Sequence, residues 1–370
     1  MSFHRRSVLK SGLALAGAGV LLRSGSSFAA TPGPSLSPAL MAAAKKEGQV
    51  NVIGLPRDWA NWGVTMDRFQ ELYGVKLDSA NPDASSAEEL QAVRSLKSQS
   101  RAPDVVDVGP AFAVSGTKEK LFAPYKVATW NDIPDDVKDK DGHYYGDYYG
   151  VTSFAANKSV VKNMPMTWAD LKKPEYKGMI ALNGSPLSAG AAIGAVFAAA
   201  LANGGSFDDV MPGVQFFSEL AKLGNFSPSK AGVASLVAGQ TPITIDWDYL
   251  SLGYKQANAA KVEIEVVVPK EAKPYGNYYC MAISAFAPHP ETAKLWMEYT
   301  YSDEGQLAFL GGFAHPIRFD ALVAAGKIPD AVMKTLPPAE SYKGIKFASL
   351  DQADKAKKLI ADAWPRLVQI

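Results

Sequence analysis

Cysteine is nearly absent from this chain: Cys280 stands alone among 370 residues. A single thiol excludes an internal disulfide and any cluster of thiolates around a metal. Its neighbours, Tyr278, Tyr279 and Met281, are apolar or aromatic, so it reads as a buried thiol rather than a nucleophile. Histidine is scarce as well, with four widely scattered residues, and His143 and His315 read as surface or structural groups rather than bases. No Gly-x-Ser-x-Gly, His-Glu-x-x-His or Cys-x-x-Cys occurs. No lysine follows the helix-entry stretch 183–190 at the spacing a nucleotide loop needs. Nothing positive points to catalysis, and the expectation is a protein that is not an enzyme and carries no cofactor or metal. An excess of one charge is also missing, since the formal net charge is +1. Nothing in that balance calls for nucleic acid or an anionic membrane surface.

A long apolar run is lacking too. The stretch Leu13–Leu22 is short and rich in Gly and Ala, too weak to span a bilayer comfortably. It follows Arg5, Arg6 and Lys10 and precedes Ser27-Phe28-Ala29, a small-x-small cleavage pattern. Residues 1–29 therefore read as an export signal, and the paired arginines resemble a twin-arginine signal. The alternative is a retained membrane anchor. The four charges in this segment are all positive, so its removal takes the net charge from +1 to −3.

What is present is the content of a globular α/β protein: 47% apolar and 20% charged residues over a length that suggests two lobes. After a Pro/Ser-rich tether, 32–38, a helix over 39–46 precedes a strand at Val50–Ile53 that ends in Gly54-Leu55-Pro56-Arg57-Asp58-Trp59. A helix carrying Met66, Phe69 and Tyr73 and a second strand at 75–77 complete a βαβ opening. Ser85 and Glu88 form a capping box for the next helix. The strand 104–108 runs into what reads as a glycine loop, Gly109-Pro110-Ala111-Phe112. The tyrosine-rich Tyr144–Gly150 suits either a core or a cleft wall, and its polar and glycine interruptions favour the wall. Val151–Asn157 is a candidate crossover strand and Tyr278–Ile283 a candidate return. The loop Asn183–Gly190, with Ser185 and Ser188, leads into an Ala-rich helix and suits either an anion or an ordinary N-cap. The focus of the chain is Thr241–Tyr249. Ile243 and Ile245 alternate as a buried strand, and Asp246, Trp247, Asp248 and Tyr249 crowd its carboxyl end. Open α/β sheets place ligands there, although an ordinary strand end with Trp247 in the core has the same pattern.

The order of these motifs resembles the periplasmic solute-binding proteins of ABC importers, in the group related to ferric-iron and polyamine binders. Ala42-Ala43-Ala44-Lys45-Lys46-Glu47-Gly48, Pro103–Asp107, His289–Lys294 and Tyr301–Gln306 carry the likeness, which extends over nearly the whole chain after the signal. It implies a type II periplasmic-binding-protein fold, two α/β lobes joined by crossover strands. The expected lobes are 38–152 with 278–315 and 156–270 with 319–370. It further implies a periplasmic monomer that captures a small-molecule solute in the interlobe cleft and delivers it to membrane permease subunits.

The resemblance and the residues leave several solutes open. Ferric binders carry adjacent tyrosines after the strand matching Ile243–Ile245; here the pair is Asp248 and Tyr249. Polyamine binders place a Trp and an acidic residue there, as Trp247 and Asp248 do, while their second acidic residue is Tyr279 here. An amine would use Trp247, Tyr249, and Tyr278 or Tyr279, with Asp248 or Asp58 as counter-ion. An anion such as a phosphonate would use Arg57, Arg318 and the amides of 185–190. A zwitterion would use both ends. Trp59, Phe112 and Tyr149 complete the candidate wall, and an amine-bearing solute is the leading expectation.

Overall fold

The computed structural model describes residues 37–269, 275–334, 345 and 347–369; the expected export signal lies outside them. The chain runs α1 (Pro38–Glu47), β1 (Gln49–Ile53), α2 (Trp62–Tyr73), β2 (Lys76–Ala80), α3 (Ser86–Leu96), β3 (Val105–Val108), α4 (Pro110–Lys118), β4 (Phe122–Ala123) and β5 (Tyr145–Asn157). It continues through β6 (Ile180–Leu182), α5 (Gly190–Ala202), α6 (Met211–Lys222), α7 (Val233–Val237), β7 (Ile243–Trp247), α8 (Asp248–Asn258), β8 (Ile264–Val267) and β9 (Gly276–Ser284). The last elements are α9 (Pro290–Thr300), α10 (Asp303–Gly311), β10 (His315–Pro316), α11 (Phe319–Ala324), α12 (Asp330–Met333) and α13 (Leu350–Leu367).

The strands lie in the order β2-β1-β3-β9-β5-β7-β6, with β4 beside β9 and β8 and β10 beside β5. Parallel pairs β1–β2, β1–β3 and β6–β7 flank a centre in which β9 and β5 run antiparallel to their neighbours. The edge strand β2 carries Lys76 and Asp78 and is largely exposed, which discourages pairing with a further strand. Inside, β1, β3 and β7 are buried along almost their whole length, as their Val and Ile content requires.

β5 joins the two halves. Its residues 145–151 pair with β9, and 152–156 pair with β7, so one thirteen-residue strand passes from one half-sheet to the other near Val151 and Thr152. The return happens just before β9, where the Thr152 N–H donates to the Tyr275 carbonyl at 3.2 Å. β9 is thus a central strand of the first lobe rather than the crossing itself, because it bonds β3 along 280–283.

Two further expectations change. Residues 109–112 are not a loop: Pro110 starts α4 at once, with Gly109 as its N-cap. Tyr144–Gly150 is core and not a cleft wall: Tyr144, Tyr145 and Tyr148 are buried. The strand is paired here with β9 on one edge and β10 on the other, and among these tyrosines only Tyr149 stays half-buried. Tyr148 meets Trp62 edge to face at 6.0 Å, and Trp62 stacks on Trp296 at 5.9 Å and meets Phe309 at 5.1 Å. Such pairs contribute about 0.5–1.5 kcal/mol each beyond their buried area.

Candidate functional site

A cavity of about 840 Å³ opens between the two half-sheets. Its first wall comes from the loop after β1 (Gly54, Pro56, Asp58, Trp59), the turn after β2 and first turns of α3 (Pro82–Glu89), Asp107 of β3 and Tyr279 of β9. Its second wall comes from 182–186 and 188–191 at and after the end of β6, Phe226–Val233, Tyr254 of α8 and Trp364 of α13. On both sides these are segments that follow the carboxyl ends of parallel strands, where the sheet stops and backbone groups are left for a ligand.

Local sequence explains the walls. In α3 the Ser85 N–H donates to Glu88 Oε2 at 2.7 Å, and this bond, helped by the Ser85 hydroxyl, holds the Glu88 carboxyl below the usual range. One residue on, Glu89 turns inward and accepts the Asp107 N–H at 2.9 Å. Gly54 makes room for it: its φ is +70°, and a Cβ there would lie 2.6 Å from the Glu89 carboxyl carbon. Burial, and then the charge of Asp107, push the Glu89 carboxyl well above its ordinary value. Burial likewise lifts Asp107 to about 7. Its Oδ2 accepts the Tyr148 hydroxyl at 3.2 Å, while its Oδ1 has no donor among the described residues. The neighbouring Asp147 carboxyl, itself pushed well up by burial, can serve Asp107 only if one of the two is protonated.

The second wall is held by backbone bonds. Ala231 N–H donates to the Leu182 carbonyl at 2.8 Å, which fixes the 227–232 loop on the end of β6. Ser188 and Ala189 N–H both donate to the Ser185 carbonyl, forming the turn into α5. No side chain caps α5, so the first amides of that helix, at the cavity-lining Gly190 and Ala191, lack intrahelical acceptors. Behind this wall Asp246 accepts Asn183 Nδ2 at 2.9 Å, and burial lifts its carboxyl to about 7.

The two walls touch. The Ala87 N–H donates to the Ser188 carbonyl at 3.3 Å across the cleft, and a Cβ on Gly109 would lie 3.3 Å from the Gly190 Cα. Trp59 on one wall faces Tyr254 on the other.

Of the residues the sequence nominated, Asp58, Trp59, Ser185, Ser188 and Tyr279 line this cavity. The others lie elsewhere. Trp247 is buried against Tyr275, its ring filling the space above Gly194, where a Cβ would lie 2.3 Å away. Asp248 begins α8 and turns back to accept the Val151 N–H at 2.9 Å. Tyr249 meets Tyr148 edge to face in the core, and Tyr278 meets Phe347. The cause is that β7 enters α8 without a loop, so the first helical turn folds under the sheet instead of projecting past it. Tyr149 stacks on His315, and Phe112 lies under the Lys357 ammonium at 3.9 Å. Arg57 is exposed and paired with Asp67 at 2.5 Å. Arg318 is buried, held by Asp132, Asp303 at 3.0 Å and the Tyr301 carbonyl at 2.7 Å. Neither guanidinium lines the cavity.

Asp83, Glu88, Glu89, Asp107, Lys230 and Tyr254 are cavity residues that the sequence reading did not nominate. The signal for the first three was available, since a capping box directly after a parallel strand puts a helix start at the ligand-bearing edge. Lys230, in a Ser-Pro-Ser-Lys turn, has no such mark.

Residues 100–352, more than half the chain, match the family described as bacterial extracellular solute-binding protein. The chain belongs to that family. As a solute-binding protein it has the fold of known periplasmic binding proteins. It superposes on AfuA from Actinobacillus pleuropneumoniae with fructose-6-phosphate bound at a TM-score of 0.65 and 19% identity, over 86% of this chain and 99% of that one. Iron-bound HitA from Pseudomonas aeruginosa gives 0.65 and 15%, over 87% and 99%. A putative spermidine/putrescine ABC transporter protein from Listeria monocytogenes gives 0.62 and 12%, over 85% and 99%. No curated protein matches the chain. The solute-binding protein is therefore a two-lobed α/β molecule, and among its described residues no helix is long and apolar enough to cross a membrane.

Proposed function

We propose that this protein is the periplasmic substrate-binding component of an ABC importer and that its cleft captures an amine-bearing solute for delivery to the permease. The observation that carries the solute class is the charge of the cavity lining. Asp58, Asp83 and Glu88 bring exposed carboxyl groups to it, with the buried Glu89 and Asp107, which burial disposes to hold their protons, behind them, and Lys230 is the single cation among the lining residues. A field of that sign attracts ammonium groups and repels phosphate. Trp59, Tyr254 and Tyr279 add ring faces, and a desolvated cation over such a face gains about 2 kcal/mol. Both arginines that would have served an anion are committed outside the cavity, Arg57 to Asp67 and Arg318 to Asp132 and Asp303. A ferric ion would need ionised phenols, and burial raises the Tyr254 and Tyr279 hydroxyls above their ordinary value.

Thermal unfolding in the presence of diamines, amino acids, quaternary amines, sugar phosphates and ferric citrate tests the reading. An amine at about 100 times its Kd should stabilise by about 2.7 kcal/mol. A shift with a phosphate ester or with iron, and none with any amine, would overturn it.

A further inference from the structure

The charges lining the cavity are segregated by lobe. All five carboxyl groups stand on the first wall, contributed by the β1 loop, the turn before α3, α3 itself and β3. The second wall holds no carboxyl group; it holds Lys230 and the uncapped start of α5. We propose that Lys230 selects a zwitterionic solute, with its ammonium end against the first wall and a carboxylate or similar anion against the second. This rests on the amine reading above and narrows it.

Lys230 is exposed and forms no ion pair among the described residues. Its position is not loose: Ala231, the next residue, is bonded to the carbonyl of Leu182, one residue before the Asn183–Gly190 loop begins. The ammonium and the first amides of α5 therefore belong to the same end of β6. Its charge is felt by Glu88 on the opposite wall and by the buried Asp246 behind its own. Lys230 faces the three exposed carboxyl groups of Asp58, Asp83 and Glu88 across the cavity and pairs with none of them among the described residues. Its placement on the otherwise acid-free wall gives the cleft a direction.

Charge rules then exclude the simpler solutes. A diamine that spans the cleft brings its second ammonium up to Lys230 and to the positive end of α5, and both repel it. A dianion meets the first wall. A solute with one charge of each sign satisfies both walls, and the anionic end gains charge-assisted hydrogen bonds from the lysine and from amides without intrahelical partners. On the acidic first wall, the buried Asp107 has no donor to its Oδ1 among the described residues.

The test uses probe pairs that differ at the anionic end. Ornithine is putrescine with a carboxylate added, and glycine betaine is choline with a carboxylate in place of the hydroxymethyl group. Calorimetry is run on the wild type and on Lys230→Met. The wild type should bind the carboxylated member of at least one pair about tenfold or more tighter than its partner. Lys230→Met should erase that preference, leave the bare amine bound as well or better, and unfold at the wild-type temperature, as expected of an exposed side chain. Equal affinity for both members in the wild type, or a preference that survives the mutation, would overturn the role of Lys230 while leaving the amine reading standing. Binding of a sugar phosphate or of iron with no response to any of the four probes would overturn both.

Discussion

The carboxylate of Asp248 accepts the backbone N–H of Val151 at 2.9 Å. This bond ties the first turn of α8 to the point where β5 passes from one lobe to the other. Beside it, Trp247 fills the space that Gly194 leaves open under α5. Both residues thus hold the fold at the hinge strand. Trp247→Ala should cost about 3–5 kcal/mol of stability. Asp248→Asn, which weakens the acceptor without removing it, should cost about 1–3 kcal/mol. Urea unfolding measures both. If either variant kept wild-type stability but lost solute affinity, the residue would act in binding instead.

Gly109 and Gly190 meet across the cleft as the starts of α4 and α5. A Cβ on either would fall 3.3–3.4 Å from the other's Cα. The easiest relief is for the lobes to part slightly, because the two backbones belong to different lobes. The double variant Gly109→Ala, Gly190→Ala should lose affinity by roughly tenfold while keeping its unfolding temperature, since incomplete closure forfeits contacts made by both walls at once. Small-angle scattering at saturating solute should give a larger radius of gyration than the wild type. An equal radius and equal affinity would show that closure does not bring these glycines together.

Asp107 links stability to pH. Burial raises its carboxyl to about 7, against about 3.9 in an unfolded chain. Between those values the native protein keeps a proton that the unfolded chain has released, so this group lowers stability as pH rises from about 4 to about 7 and changes nothing beyond. Asp107→Asn keeps an oxygen for the Tyr148 hydroxyl and cannot ionise. Its unfolding temperature should therefore gain on the wild type as pH is raised through that window. A constant gap between the two proteins would mean that Asp107 titrates alike in both states.

α13 packs on both lobes. Its Trp364 lies against Phe217 at 5.4 Å, while Asp354 bonds Lys118 of α4 at 2.8 Å and its own Lys358 at 2.9 Å. These partners hold the Asp354 carboxyl below its usual range despite its burial. Asp354→Ala leaves Lys118, Lys357 and Lys358 together without their shared counter-ion, and because Lys118 and Lys358 are largely exposed it should cost about 0.5–1 kcal/mol. The loss should shrink in high salt, where the remaining repulsion is screened. A salt-independent loss would point to packing alone.

The α/β alternation, most strands and helices, and the capping box at Ser85 were legible in the sequence, because each depends on neighbours within a few residues. So was the general place of the cleft, through Asp58, Trp59 and the Ser185–Ser188 loop, since strand ends in such sheets are where ligands gather. The fate of Trp247, Asp248 and Tyr249 was not legible. Whether a residue after a strand projects into a cleft or folds under the sheet depends on whether a loop or a helix follows, and here α8 begins at Asp248 itself. The tyrosines of 144–149 misled for a related reason: the same rings suit a wall or a core, and only the pairing of this part of β5 with β9 on one edge and β10 on the other made most of them core. Arg57 and Arg318 looked available because Asp67 and Asp303 are distant or unremarkable in sequence, and an ion pair is decided by three-dimensional distance. The segregation of carboxyl groups to one wall and Lys230 to the other brings together residues from 58 to 230; no local pattern encodes it, and only the closing of two lobes over one cavity gives those charges a common field.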